Sequence, residues 1–155
     1  MIRYLVFVLV GVAMSAVGHA QETSSLHIKT SDAVHQLNVE LANTPDIITI
    51  GLSDRETLAP DAGMLFDFGE SRITSKSMKG ISIPLDMIFI NSAGTVMAIT
   101  RNAVPHSERQ ITIGAPMRAV LEVNADTAKT LGIQPGDTVI HPLFNNTDTL
   151  EAAAE

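Results

Sequence analysis

The chain of 155 residues has no cysteine and no tryptophan. Without thiols there is no disulfide, no thiolate nucleophile, no cysteine-bound metal and no lipid-modified N-terminal cysteine. Burial of side chains must therefore hold the fold together. Aromatic residues make up only 4% of the chain, and the single tyrosine is Tyr4. Past residue 20 the aromatic set is Phe66, Phe68, Phe89 and Phe144. Three of these four sit in apolar, strand-like runs, which suits core packing better than the stacking platforms that hold bases or sugars. Cations are scarce as well: 10 Lys and Arg stand against 17 Asp and Glu, a formal charge of −7. Nothing basic is clustered to offset that balance, so a phosphate backbone would be repelled and nucleic acid is not expected as a partner.

A long hydrophobic run occurs only at the N-terminus. Arg3 supplies a positive start, Leu5 to Val17 is uncharged and apolar, and Gly18-His19-Ala20 places small residues before a cut. A membrane span needs about 20 apolar residues, more than this run offers. Residues 1–20 are thus expected to be a signal peptide cleaved near Ala20. The mature chain would start at Gln21 in the periplasm or outside the cell, with no stable membrane insertion. Cleavage removes Arg3 and no acid, which turns −7 into −8.

Motifs that carry chemistry are also missing. His27, His35, His106 and His141 show no i, i+2 or i, i+4 pairing and no His-Glu-x-x-His, so solvated histidines and no metal are expected. Gly-x-Ser-x-Gly is absent, although Ser77 or Ser82 near Lys79 could form a nucleophile–base pair. Pro135 interrupts the glycine-bearing segment Gly132–Asp137 and removes a donor that an anion nest would use. Met64, Met87, Met97 and Met117 lie in apolar runs and read, with Met78, as core filler rather than as a copper site. No cofactor and no catalytic residue are assigned.

What is present is a succession of short strands. Leu37, Val39 and Leu41 alternate with Asn38 and Glu40, the period of a half-buried strand. Thr44-Pro45-Asp46 reads as a helix start with a cap, a first-turn proline and an acid, although Ile47-Ile48-Thr49-Ile50 is β-branched throughout. Strands are expected over 64–68 and 73–78. Leu85 to Ile90 is almost wholly apolar, as in a strand buried on both faces. Asn91-Ser92-Ala93-Gly94 suits a turn into a hairpin partner over 95–100. A loop over 105–112, a strand over 117–123, a short helix over 125–131 capped by Asn124, and a strand over 138–141 complete the pattern. This predicts an all-β domain, a compact sandwich or barrel with two short helices, over residues 37–143. A flexible segment over 21–36 precedes it and a disordered tail over 144–155 follows.

In their order and spacing, Gly63-Met64-Leu65-Phe66-Asp67-Phe68, Met78-Lys79, Ile83-Pro84-Leu85-Asp86-Met87-Ile88-Phe89, Val120-Leu121-Glu122-Val123 and Leu131-Gly132-Ile133-Gln134-Pro135-Gly136-Asp137 resemble domain-of-unknown-function family 192. The resemblance implies a compact β domain, often exported, without an assigned activity. It runs from Asn38 to Val139. The family usually reads Gly-Leu-Met-Phe-Arg where this chain has Gly51-Leu52-Ser53-Asp54-Arg55. It usually reads Phe-Trp-Met-Lys-Asn-Thr where this chain has Lys76-Ser77-Met78-Lys79-Gly80-Ile81, and the usual Tyr before Val-Leu-Glu is Ala119. Aromatic and amide positions of a shared surface are therefore lost here.

Asp86 stands out because it interrupts an apolar run, where a buried carboxylate needs a partner. Lys79 and Arg55 are cations that could supply one, and the three together are the candidate ligand-binding set. The expected function is an exported, monomeric, non-enzymatic accessory domain that binds a small anion or an envelope protein. One alternative is a small hydrolase or transferase using Asp86, Lys79 and Arg55. Another is a structural partner in the envelope.

Overall fold

The computed structural model describes residues 23–151. The signal peptide expected over 1–20 lies outside the described residues, as do 152–155. Seven strands run in the order β1 (Thr23–Lys29), β2 (Val34–Ala42), β3 (Ala62–Arg72), β4 (Leu85–Ile90), β5 (Val96–Ala103), β6 (Met117–Asn124) and β7 (Thr138–Ile140). They form one sheet ordered β5-β4-β6-β3-β2-β1-β7 that curls into a half-barrel. All its pairings are antiparallel except β2 with β3. The architecture is mainly β, as expected, and of the two forms anticipated it is the barrel-like one. No helix among the described residues is long and apolar enough to cross a membrane.

The parallel step from β2 to β3 requires a crossover, and α1 (Pro45–Ile50) provides it. Caps rather than propensity make this helix. Thr44 Oγ1 accepts from the Ile47 amide at 3.4 Å, Pro45 opens the first turn, and Gly51 closes the last at φ 50, donating to the Ile47 carbonyl. The β-branched run inside it is thereby overridden.

Two apolar layers lie on opposite faces of the sheet. Leu65, Ile88, Ile90, Leu121 and Val123 face the interior of the curl, where every strand contributes to the core. The alternate residues Met64, Phe66, Met87, Phe89 and Val120 face outward, against α1 and the connections around Leu52, Met78 and Ile81. Because both faces are covered, β4 is buried at all six positions and its sequence is an apolar run instead of an alternation.

The ends of the sheet meet on one side. Val96 donates to the Asp137 carbonyl and Gly136 to the Val96 carbonyl, each at 2.8 Å, and Val139 donates to the Gly94 carbonyl at 2.7 Å. Gly94 ends the tight turn before β5 at φ 85, and a Cβ there would lie 2.4 Å from the Val139 carbonyl oxygen.

Four local expectations differ from the structure. The segment 21–36, read as flexible, contains β1, whose Leu26 and Ile28 are fully buried, and the start of β2. The tail from residue 144 is pinned as far as it is described: Phe144 is buried in a 3-10 turn over Pro142–Phe144, and the Asn146 amide donates to the Val139 carbonyl at 2.9 Å. A third helix, α3 (Asp148–Glu151), follows. The expected strand over 73–78 reduces to a single bridge between Lys76 and Ile111. The second helix, α2 (Thr127–Thr130), starts later than 125, because the Asn124 side chain donates to the Leu58 and Ala59 carbonyls instead of capping it.

Candidate functional site

Alternation along β6 sends Glu122 to the outer face of the sheet, between apolar neighbours, where it is only 2% exposed. An unpaired carboxylate at that depth is prohibitively costly. The segment over 73–78 crosses that face, held to the loop over 105–112 by two backbone hydrogen bonds between Lys76 and Ile111. It delivers the Lys76 ammonium 3.2 Å from Glu122 Oε1 and 3.3 Å from the centre of the Phe66 ring. A carboxylate beside the cation and an aromatic face beneath it are the two partners that make a buried ammonium tolerable. Burial pushes the Lys76 amine below its ordinary value, with the Glu122 charge and hydrogen bond working against that fall. Burial likewise pushes the Glu122 carboxyl up, with Lys76 opposing. Each partner is thus drawn toward its neutral form.

The pair forms the floor of a cleft of about 250 Å³, walled on one side by the end of α1 and Gly51 to Ser53 and on the other by residues 72–79. Arg72 and Lys79 also line it. The Arg72 guanidinium lies 5.3 Å from the Phe68 ring centre, and the exposed Lys79 pairs at 3.4 Å with Glu108 outside the cleft. Thr49, Ser53, Thr74, Ser75 and Ser77 complete the lining, with the Thr49 hydroxyl donating to the Pro45 carbonyl and the Ser75 hydroxyl to Gln110 Oε1. Three cations therefore stand against one carboxylate lining the cleft, in a chain whose formal charge is −7. A larger cavity of about 630 Å³, near His35, Asp61 and Asp126, has no buried charged side chain in its lining.

The three residues singled out from sequence occupy separate places. Asp86 is fully buried on the interior face, and its partners are backbone amides: Oδ1 accepts from Asn102 and Oδ2 from Ala128, both at 2.9 Å. Arg55 donates to Glu40 at 2.6 Å, away from the cleft. Of the three, only Lys79 lines the cleft. Ser77 and Lys79 are not on a strand, and the Ser77 hydroxyl accepts from the Lys79 backbone amide at 3.5 Å while the Lys79 ammonium turns to Glu108. Ala119, expected on the shared surface, is buried inside the curl. His141, expected in solvent, is 4% exposed. Among the described residues no group of three His, Asp or Glu is placed to hold a metal ion.

Lys76 was not anticipated as a site residue. A signal for its partner was nonetheless present, since Glu122 breaks the apolar run of β6 as Asp86 breaks that of β4.

The outer face of the curled β sheet thus carries a small cleft lined by Arg72, Lys76, Lys79 and Glu122. Comparison with known proteins is specific. The family model DUF192, described as an uncharacterized ACR, matches residues 26–141, and the chain belongs to this family. No curated protein matches it. Among solved structures it is similar to a Sinorhizobium meliloti 1021 protein given provisionally as a transcription regulator. That match has 45% identity and a TM-score of 0.78, covering 79% of this chain and 96% of the other. It is also similar to a Novosphingobium aromaticivorans DSM 12444 protein of unknown function, with 34% identity and a TM-score of 0.74, covering 77% of this chain and 85% of the other.

Proposed function

We propose that this protein is an exported, non-enzymatic binding domain that takes a small anion into the cleft above Phe66. The observation that carries the reading is the charge of that cleft: Arg72, Lys76 and Lys79 against Glu122, in an otherwise acidic molecule. Low-dielectric walls focus the field of such a cluster and favour a carboxylate or phosphate of metabolite size. The regulator description of the S. meliloti relative is not carried across, because the net charge of −7 opposes binding to a phosphate backbone. The hydrolase or transferase alternative needs Asp86, Lys79 and Arg55 in one place, and their partners hold them in three.

Calorimetric titration of the processed chain with small carboxylates and phosphates tests the binding. Saturable uptake that weakens at high salt and in Arg72→Ala is expected, whereas no heat and no amide shifts at millimolar ligand would refute it. Export follows from the Arg3 start, the apolar run and Gly18-His19-Ala20. N-terminal sequencing of secreted material should begin at or near Gln21, and material retaining Met1 in a membrane fraction would contradict export.

A further inference from the structure

We infer that Lys76 is a covalent anchor for the cleft, condensing with the carbonyl group of a small 2-oxo acid to form an imine and release water. The inference rests on the anion-binding reading and names the ligand class for the same site. Four lysines lie among the described residues. Lys29, Lys79 and Lys129 are exposed, whereas the Lys76 side chain is only 14% exposed and still lines an open cleft. An amine becomes a nucleophile when it is withdrawn from water in an apolar setting or set beside other cations. Phe66 lies beneath Lys76, and Arg72 and Lys79 line the same cleft.

The Lys76–Glu122 pair supplies the proton transfers. The ammonium passes a proton to the carboxylate 3.2 Å away, and the freed lone pair attacks the carbonyl carbon. A C–N bond forms while the carbonyl π pair moves to oxygen, and one of the two nitrogen protons then transfers to that oxygen to give a neutral carbinolamine. Glu122 then returns its proton to the hydroxyl, water leaves, and a protonated imine remains beside the ionised carboxylate. The sum is one ammonium plus one carbonyl giving one iminium plus one water. No oxidant, reductant or metal is required. The burial that lowers the amine and raises the carboxyl favours the first transfer. The cationic groups of the mouth are suited to the carboxylate of the 2-oxo acid, and a cleft of about 250 Å³ suits a metabolite-sized ligand.

The test uses the processed protein, pyruvate as the carbonyl probe, and lactate as its matched hydroxy acid. Cyanoborohydride reduction followed by peptide mass mapping should place the secondary amine at Lys76. Labelling of Lys76 ahead of the exposed Lys29, Lys79 and Lys129 is expected, because its ammonium alone is withdrawn from water beside a buried proton acceptor. Lactate should slow this labelling without being incorporated. Mapping within the native protein decides the matter even where Lys76→Arg fails to fold. Labelling of Lys76 no faster than that of the exposed lysines overturns the imine. If lactate still binds in that case, anion binding survives; if it does not, both readings fall.

Discussion

Replacing Asp86 with alanine probes the most deeply buried carboxylate among the described residues. Asp86 lies opposite an irregularity where Leu85 pairs with Ala103 but Met87 pairs with Thr100, so β5 has one residue more than β4 at that point. The extra residue takes Asn102 to φ 52, and Asp86 Oδ1 accepts its amide hydrogen. The other oxygen accepts from Ala128 in the first turn of α2, whose own cap residue Asp126 makes no side-chain capping bond. One carboxylate thereby stabilises a bulge and a helix start at once. Each hydrogen bond to a charged acceptor contributes about 1.5–3 kcal/mol, and a stranded buried donor costs about 1–3. Loss of both places Asp86→Ala at about 3–6 kcal/mol, a large share of the 5–15 or so that a domain commands. Asp86→Asn keeps one acceptor and turns an amide donor toward the other N–H, so about half of that loss is expected. With no tryptophan in the chain, urea unfolding is best followed by far-UV circular dichroism, with the midpoint shift converted through the m-value. Hydrogen exchange at Asn102 and Ala128 should accelerate in parallel. An alanine variant within about 0.5 kcal/mol of the parent, the range of an unremarkable surface change, would refute the reasoning.

Lys76→Met leaves Glu122 buried without its cation and should cost about 3–5 kcal/mol, whereas Lys76→Met combined with Glu122→Leu should recover most of that loss or exceed the parent; a double-mutant cycle by urea unfolding checks this. His141 accepts from the Leu143 amide through Nδ1 at 3.2 Å and bonds Ser24 through Nε2 at 2.8 Å. Burial lowers its pKa from the ordinary 6.5, so its contribution is whole above that pH and declines as pH falls toward the folded-state value. Unfolding midpoints between pH 7 and 5 should therefore fall more steeply in the parent than in His141→Asn, and NMR should show His141 titrating below the ordinary value. Gly94→Ala combines a left-handed backbone with a contact against the Val139 carbonyl, and a loss of about 2–4 kcal/mol is expected in thermal unfolding.

Legibility from sequence followed the range of the interactions. The apolar run of β4, the Asn91–Gly94 turn and the caps of α1 are local features, and they stand where the residues place them. Asp86 could be recognised as a buried carboxylate for the same reason. Its partners could not, because they are amides of Asn102 and Ala128, which carry no side-chain signature. β1 was obscured because Ser24, Ser25 and His27 surround its only two apolar residues, Leu26 and Ile28, which gain their burial from β2 and β7. Lys76 was hidden in a segment with no period, and its partner Glu122 comes from a strand met only through tertiary packing.

The meeting of β7 with β1 and with the start of β5 has a consequence for the order in which the chain can fold. His27 pairs with Ile140 and Thr95 with Thr138, so the first strand of the sheet and the turn before β5 both receive partners from near the far end of the chain. The β4–β5 hairpin closes over a short loop and can form early, but pairings that span most of the chain are slow because their loop entropy is spent before any contact forms. A chain emerging N-terminus first therefore keeps the outer edge of β1 unpaired until residues 138–140 arrive. Completion of the sheet is postponed to the last strand, and until then the incomplete chain keeps an unpaired strand edge open to pairing with other chains.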